Sequence, residues 1–227
     1  MSNPKGTILL TGANGGLGSA FVANVLKSPY AASYHGVYAV RNPSTADALN
    51  RVLLNNPHSH TSEVLVLDLD SLESIREFAA DINTRVAAKT LAPIKSLVLN
   101  AAVQAANKSV LAPQNFTKDG FESAFGVNYL AHFLLVLLLL QSMDREHGRI
   151  VVVSSWSHNT ATSRNDGMAA YVEEEHKTLY KDTESLAKGI TYTDDGVKAG
   201  YRRYGASKLC MVLFMYVLHI HLHYQLL

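Results

Sequence analysis

The sequence predicts an α/β fold, a doubly wound parallel sheet with helices on both faces in three layers (α/β/α), on three observations. Short runs rich in Val, Ile and Leu recur between longer helix-forming stretches, which is how strands buried on both faces read. Directly after the first run comes a glycine-rich turn, Thr11-Gly12-Ala13-Asn14-Gly15-Gly16-Leu17-Gly18, and then a helix-forming stretch. The chain has 227 residues, 48% hydrophobic and 17% charged, which suits a single domain with a real core and excludes disordered and collagen-like chains.

Strands are expected at residues 7–10, 37–40, 64–67, 97–99 and 150–153, and helices at 17–27, 71–88, 120–141 and from 205 onward. Ser71, with Glu73 in the first turn and Ser74 three residues on, is a capped helix start. Alternation of this kind implies parallel strands joined by right-handed crossovers. Residues 154–203 turn polar and include Glu173-Glu174-Glu175; they read as a long surface insertion, either a substrate lid or a plain excursion. Residues 217–227 form an atypical tail, because His219-Ile220-His221-Leu222-His223-Tyr224 alternates with period two where a helix should continue.

Twenty Lys+Arg against 19 Asp+Glu give a net charge of +1. With no basic block there is no electrostatic footprint for nucleic acid or an anionic membrane surface. One cysteine, Cys210, makes no internal disulfide, and no Cys/His cluster has ligand spacing, so no metal is expected. A reducing, cytoplasmic setting follows as the expectation, and residues 1–6 do not read as a secretory signal. The apolar stretch 133–140 is short for a bilayer, and 209–227 carries His219, His221, His223 and Gln225, so no membrane span is expected.

Gly12, Gly16 and Gly18 permit a tight turn that lets backbone N–H groups meet a pyrophosphate at the positive end of the helix. Asn14 and Leu17 belong to the same candidate set; the alternative is a strand-to-helix turn with no ligand. The second strand ends in Arg41, with no acid before Asp47. A basic residue there accommodates the extra phosphate of NADP(H), which is favoured over NAD(H), the second possibility; the other reading of Arg41 is an exposed arginine serving solubility. Asp68, at the end of the third strand, is placed to meet the adenine, and Asp70 to help cap the next helix. The small residues of Asn100-Ala101-Ala102 after the fourth strand allow close backbone approach, and Asn100 alternatively closes a turn.

Ser154-Ser155 ends the fifth strand, and Tyr204 and Lys208 lie four apart on one helix face. A phenol has a pKa of roughly 10, and a neighbouring positive charge lowers it toward use as a general acid/base. Taken alone, the pair reads equally as ordinary helix surface.

The order of these motifs, with Asn128 in Gly126-Val127-Asn128-Tyr129-Leu130-Ala131-His132-Phe133 between them, resembles the short-chain dehydrogenase/reductase family from residue 7 to about residue 216. The wording around Asn128 is similar to the retinol-dehydrogenase-like and fungal carbonyl-reductase branches. The resemblance implies a Rossmann-like fold and hydride transfer between NADP(H) and a small-molecule carbonyl or alcohol. It implies a catalytic tetrad of Asn128, Ser155, Tyr204 and Lys208. Ser155 would bond the substrate oxygen, with Ser154 its competitor, and Tyr204 would pass the proton. Lys208 would bind the nicotinamide ribose beside Tyr204 and lower the tyrosine pKa, and Asn128 would hold a relay water. It also implies pairing into homodimers or homotetramers through the helices bearing Asn128 and Tyr204.

Two departures stand beside the resemblance. Ser155 and Tyr204 are 49 positions apart, where many members have about a dozen, yet loop closure entropy grows slowly enough for the pair to meet. Trp156, Tyr171, Tyr180 and Tyr192 in that stretch either line a substrate pocket or pack the loop onto the domain. The family's sixth and seventh strands are not found in this chain, so the sequence-level expectation includes a shortened form. Its alternative function is a non-catalytic remnant that at most binds the dinucleotide or a partner chain.

Overall fold

The computed structural model describes residues 4–56, 59–104, 115–189 and 196–224, with no side chains described beyond residue 221. Its contacts fall into two compact units, residues 1–101 with 134–153, and residues 102–133 with 154–227.

The first unit is built on five parallel strands: β1 (Thr7–Thr11), β2 (His35–Val40), β3 (Thr61–Val66), β4 (Ile94–Leu99) and β5 (Arg149–Val152). Their order is β3-β2-β1-β4-β5, so the chain reverses its direction of winding between β1 and β4, where open α/β sheets bind ligands. Leu10, Tyr38, Val40 and Val98 pack with Val22 and Leu26 of α1 (Gly16–Lys27) and Leu49 of α2 (Asp47–Leu54). The alternate strand residues Leu9, Val37, Ala39, Leu97 and Leu99 are as deeply buried. A period of two sends them to the other face, so both faces are covered, as in the expected doubly wound fold. α3 (Leu72–Ala87) buries Ile75, Phe78, Ala79 and Ile82, and Ser71 caps it by accepting the Ser74 N–H at 3.3 Å. Ser71 is thus the N-cap, and the N–H of Asp70 before it donates to Asp68 Oδ1 at 3.2 Å.

In the second unit α4 (Ser123–Phe125) passes through a π-helical segment, Gly126–Leu130, into α5 (Ala131–Leu139), whose first turn belongs here. The stretch Ser123–Ser142 is long and apolar enough to cross a membrane by composition, although 56% of that window is buried within the fold. α6 (Thr183–Lys188) and α7 (Val197–Tyr224) follow. The core of this unit joins Phe125, Ala170, Tyr171, Leu179, Leu186, Tyr201, Ala206 and Cys210.

Two sequence readings change here. The stretch expected as a surface insertion supplies buried Ala170, Tyr171, Leu179 and Leu186; they are scattered singly among polar residues, so no apolar run announced them. The tail expected to break the helix continues it: α7 starts at Val197 and runs to Tyr224. Leu218 stays buried while Tyr216, Val217 and Ile220 are exposed. On a helix, spacing of two does not define a face. Among the described residues no group of three His, Cys, Asp or Glu could hold a metal ion. Tyr192 and Gln225 lie outside the described residues, and the His223 side chain does too.

Candidate active site

In the first unit the glycine turn sits at the carboxyl end of β1. Gly12 has φ +67° and a Cβ there would stand 2.8 Å from Ala101 Cα, a conformation and a clearance that only glycine satisfies. A Cβ at Gly18 would overlap the Gly12 carbonyl oxygen, whereas one at Gly16 would meet nothing within 4 Å. Asn100 and Ala101 brace this turn from β4. Thr11 Oγ1 accepts their two N–H groups at 3.0 and 3.1 Å, and Asn100 Nδ2 donates to the Thr11 and Gly12 carbonyls at 3.0 and 3.1 Å.

Asn14 turns away from the α1 terminus. Its Oδ1 accepts the N–H groups of Ala48 and Leu49, both at 3.1 Å, and its Nδ2 donates to the Thr45 carbonyl at 3.4 Å. It thereby caps α2 from outside, because α2's own N-cap residue, Ala46, has no side chain to do so. This ties the glycine turn to the segment that follows β2, where Arg41 stands exposed. Asp68 Oδ1 is engaged locally with the Asp70 N–H.

These residues fit the phosphates of a dinucleotide. Among the described residues no side chain caps α1, so its first amides are left for an anion. Open space adjoins Gly16, and apolar Leu17 is 71% exposed beside it.

In the second unit Tyr204 and Lys208 share one face of α7, with Lys208 Nζ 5.5 Å from the Tyr204 ring centroid. The Ser155 side chain acts on the Tyr204 phenol, holding down its pKa, and its Oγ accepts the Ser157 N–H at 3.3 Å, while Ser154 Oγ donates to the Lys208 carbonyl at 3.4 Å. Of the two serines, Ser155 is the one that bears on the phenol. Residue 205 is glycine where α7 meets the Ser157 backbone: a Cβ there would stand 2.6 Å from the Ser157 carbonyl oxygen, which also accepts the Tyr171 hydroxyl at 2.9 Å.

Burial pushes the Tyr204 phenol above its ordinary value, the Ser155 bond opposing the rise and the neighbouring Tyr201 adding to it. Burial also brings the Lys208 ammonium down to about 8. The expected lowering of the tyrosine by lysine stands beside a net rise whose largest cause is desolvation.

Asn128 lies in the π segment, 1% exposed. Its Oδ1 accepts the Val103 N–H at 2.7 Å and its Nδ2 donates to the Val103 carbonyl at 2.9 Å and to Ser207 Oγ at 3.0 Å. Ser207 in turn donates to the Tyr204 carbonyl at 2.7 Å. The side chain expected to hold a water thus brackets the 103 segment to the Tyr204 turn. A buried ion pair, Arg203 Nε to Glu122 Oε1 at 3.3 Å, anchors the same turn; Glu122 also caps α4 through the Phe125 N–H at 2.9 Å, and burial raises its carboxyl pKa. Sequence reasoning did not find Glu122, Arg203, Ser207, Gly205 or His132. Glu122 and Arg203 are 81 positions apart with nothing local to link them, but Gly205 and Ser207 sit inside the Tyr204–Lys208 motif itself.

A family model described as short chain dehydrogenase matches residues 6–172. The match ends before Tyr204 and Lys208. The chain is 40% identical over 234 residues to the short-chain dehydrogenase iccH of Talaromyces variabilis, covering 93% of this chain and 63% of that protein. It is 32% identical to the chloroplastic protochlorophyllide reductase B of Oryza sativa subsp. japonica, covering 96% of this chain and 52% of the relative. The chain therefore spans between about half and two thirds of the length of these relatives. Among solved structures, an uncharacterized protein from Mycobacterium paratuberculosis superposes with a TM-score of 0.68 at 27% identity, over 99% of this chain and 65% of that one. By sequence match and by the parallel sheet that positions the glycine turn, this chain belongs to the short-chain dehydrogenase family, whose members bind a nicotinamide dinucleotide.

Proposed function

We propose that the chain is an NADP(H)-dependent oxidoreductase acting on a small-molecule carbonyl or alcohol, with Tyr204 as proton donor or acceptor. The observation that carries this reading is the Tyr204 phenol with the Lys208 ammonium 5.5 Å from its ring centroid and the Ser155 side chain acting on its pKa. The bound nicotinamide would supply or take the hydride. Ser155 and Tyr204 present two hydroxyls that can converge on one substrate oxygen. The raised phenol pKa keeps Tyr204 protonated, and hence a donor, at neutral pH. When it gives up that proton the new phenolate gains the Lys208 charge, which stabilises the product side of the step. Lys208, at about 8, is mostly ammonium at pH 7. Arg41 supports the choice of NADP(H), as an exposed cation just past the carboxyl end of β2.

The test is nicotinamide consumption against a panel of aldehydes, ketones and secondary alcohols, run beside Tyr204→Phe with NADPH affinity measured for both. The proposal expects turnover in the parent and a loss of about 10²-fold or more in the variant at unchanged affinity. Equal turnover in both would overturn the assignment of Tyr204. Cofactor binding without turnover on any substrate would favour a binding protein.

A further inference from the structure

His132 is a buried imidazole that the tetrad does not use. It lies in the first turn of α5, 1% exposed, with Nδ1 3.1 Å from the backbone carbonyl of Asn128 one turn earlier. A carbonyl only accepts, so the Nδ1 atom carries the hydrogen, and in the neutral ring Nε2 then keeps its lone pair. Asn128 is the junction of the proton-transfer site, because its side chain holds both backbone groups of Val103 and the Ser207 hydroxyl, and Ser207 holds the Tyr204 carbonyl. A π segment breaks the regular backbone ladder at this point, and such bulges often mark functional sites. The side-chain bond from His132 adds a fixed donor at its exit.

We infer that His132 is a positioning residue of the proton-transfer site, an Nδ1–H imidazole that fixes Asn128 and keeps a polar group in the buried lining near Lys208. Lys208, facing from α7, bears on the ring electrostatically, and burial takes the His132 pKa down to about 4. Across the neutral range the ring therefore adds no second cation beside Lys208. It remains a polar neighbour that partly replaces the water an ammonium loses on burial.

This inference rests on the proposed oxidoreductase reading for its functional consequence, but its core is testable without turnover. The experiment uses the intact chain labelled with ¹⁵N-histidine and with ¹³C,¹⁵N-lysine, in parent, His132→Leu and His132→Asn forms. Leu matches the volume without a donor, and the Asn amide can offer an N–H close to where Nδ1–H stands. Ring spectra of the parent should show His132 as the Nδ1–H tautomer, neutral at pH 6. The Lys208 titration should move to lower pH by half a unit or more in His132→Leu and stay near the parent in His132→Asn. If the chain turns over NADPH, the alkaline limb of its pH profile should follow the Lys208 titration in the same order. An Nε2–H or protonated ring at pH 6 would overturn the inference, as would a Lys208 titration unchanged in a folded His132→Leu protein. Should His132→Leu fail to fold, the parent tautomer and the His132→Asn titration decide alone. Absence of turnover with these spectral results intact would instead count against the oxidoreductase reading.

Discussion

Replacing Gly16 by alanine separates what the glycine turn does for folding from what it does for a ligand. Gly16 is the first residue of α1, and an added Cβ meets nothing within 4 Å. At such a site Gly→Ala restricts the unfolded chain and should stabilise the protein by about 0.4–1 kcal/mol. If the open space is the pyrophosphate cradle, the same methyl intrudes on the dinucleotide at a cost of about 1–3 kcal/mol, a roughly 5- to 150-fold rise in Kd. Gly18→Ala is the contrast, because its Cβ overlaps the Gly12 carbonyl oxygen and should destabilise the free protein by about 1–3 kcal/mol. Urea unfolding of the unliganded proteins gives the first quantity, and calorimetric titration with NADPH gives the second. Opposite signs for Gly16→Ala, more stable but weaker binding, are the expected result. Unchanged NADPH affinity in Gly16→Ala would refute the cradle, and a loss of stability there would refute the open geometry.

Arg41→Ala should narrow the preference for NADPH over NADH by roughly 1–3 kcal/mol, as for a charge-assisted contact; equal affinities for the two cofactors in the parent would remove the basis for this. Glu122→Ala leaves the Arg203 guanidinium buried without its carboxylate and should lower stability by about 3–5 kcal/mol in urea unfolding, with Glu122→Gln losing less because it can still cap the Phe125 N–H. Lys208→Met should raise stability at pH 7 by an amount of order 3 kcal/mol, since burial lowers the ammonium from 10.5 to about 8. The unfolded state binds more protons between those two values, so parent stability should climb from pH 8 to 10.5 and the gap should close; a constant gap across that range would contradict the burial cost. The same rule applies to His132, neutral when folded down to about 4 against 6.5 when exposed: parent stability should fall as pH drops from 6.5 to 4, and His132→Asn should flatten that slope in urea titrations at each pH.

How much of this was legible in the sequence depended on whether the signal was local. The five strands and the capped start at Ser71 were, because apolar runs and turn residues report on their own neighbourhood. β3 begins at Thr61 rather than 64, since Thr61, Ser62 and Glu63 form a polar start that pairs with His35, Gly36 and Val37 on the sheet edge, where burial leaves no hydrophobic mark. α2 was missed although Leu49, Val52 and Leu53 have helical spacing, because its cap comes from Asn14, 34 residues away from Ala48. At the site, Tyr204 and Lys208 were readable as an i, i+4 pair. Their electrostatics were not, since both shifts come chiefly from desolvation by burial, which the tertiary fold sets and local spacing does not report. For Asn100 the sequence left a ligand contact and a turn-closing role open; its amide donates to the Thr11 and Gly12 carbonyls, as the second reading has it.

The central claim is that this chain moves hydride between NADP(H) and a small-molecule carbon while Tyr204 moves the proton. The most direct measurement follows deuterium from NADPH deuterated at the transferable nicotinamide position into the products of the carbonyl panel, in parent and Tyr204→Phe. The account predicts deuterium on the former carbonyl carbon in the parent, formed about 10² times more slowly or worse in the variant at equal NADPH affinity. Product formed without label on that carbon, or labelled equally fast in Tyr204→Phe, would contradict it.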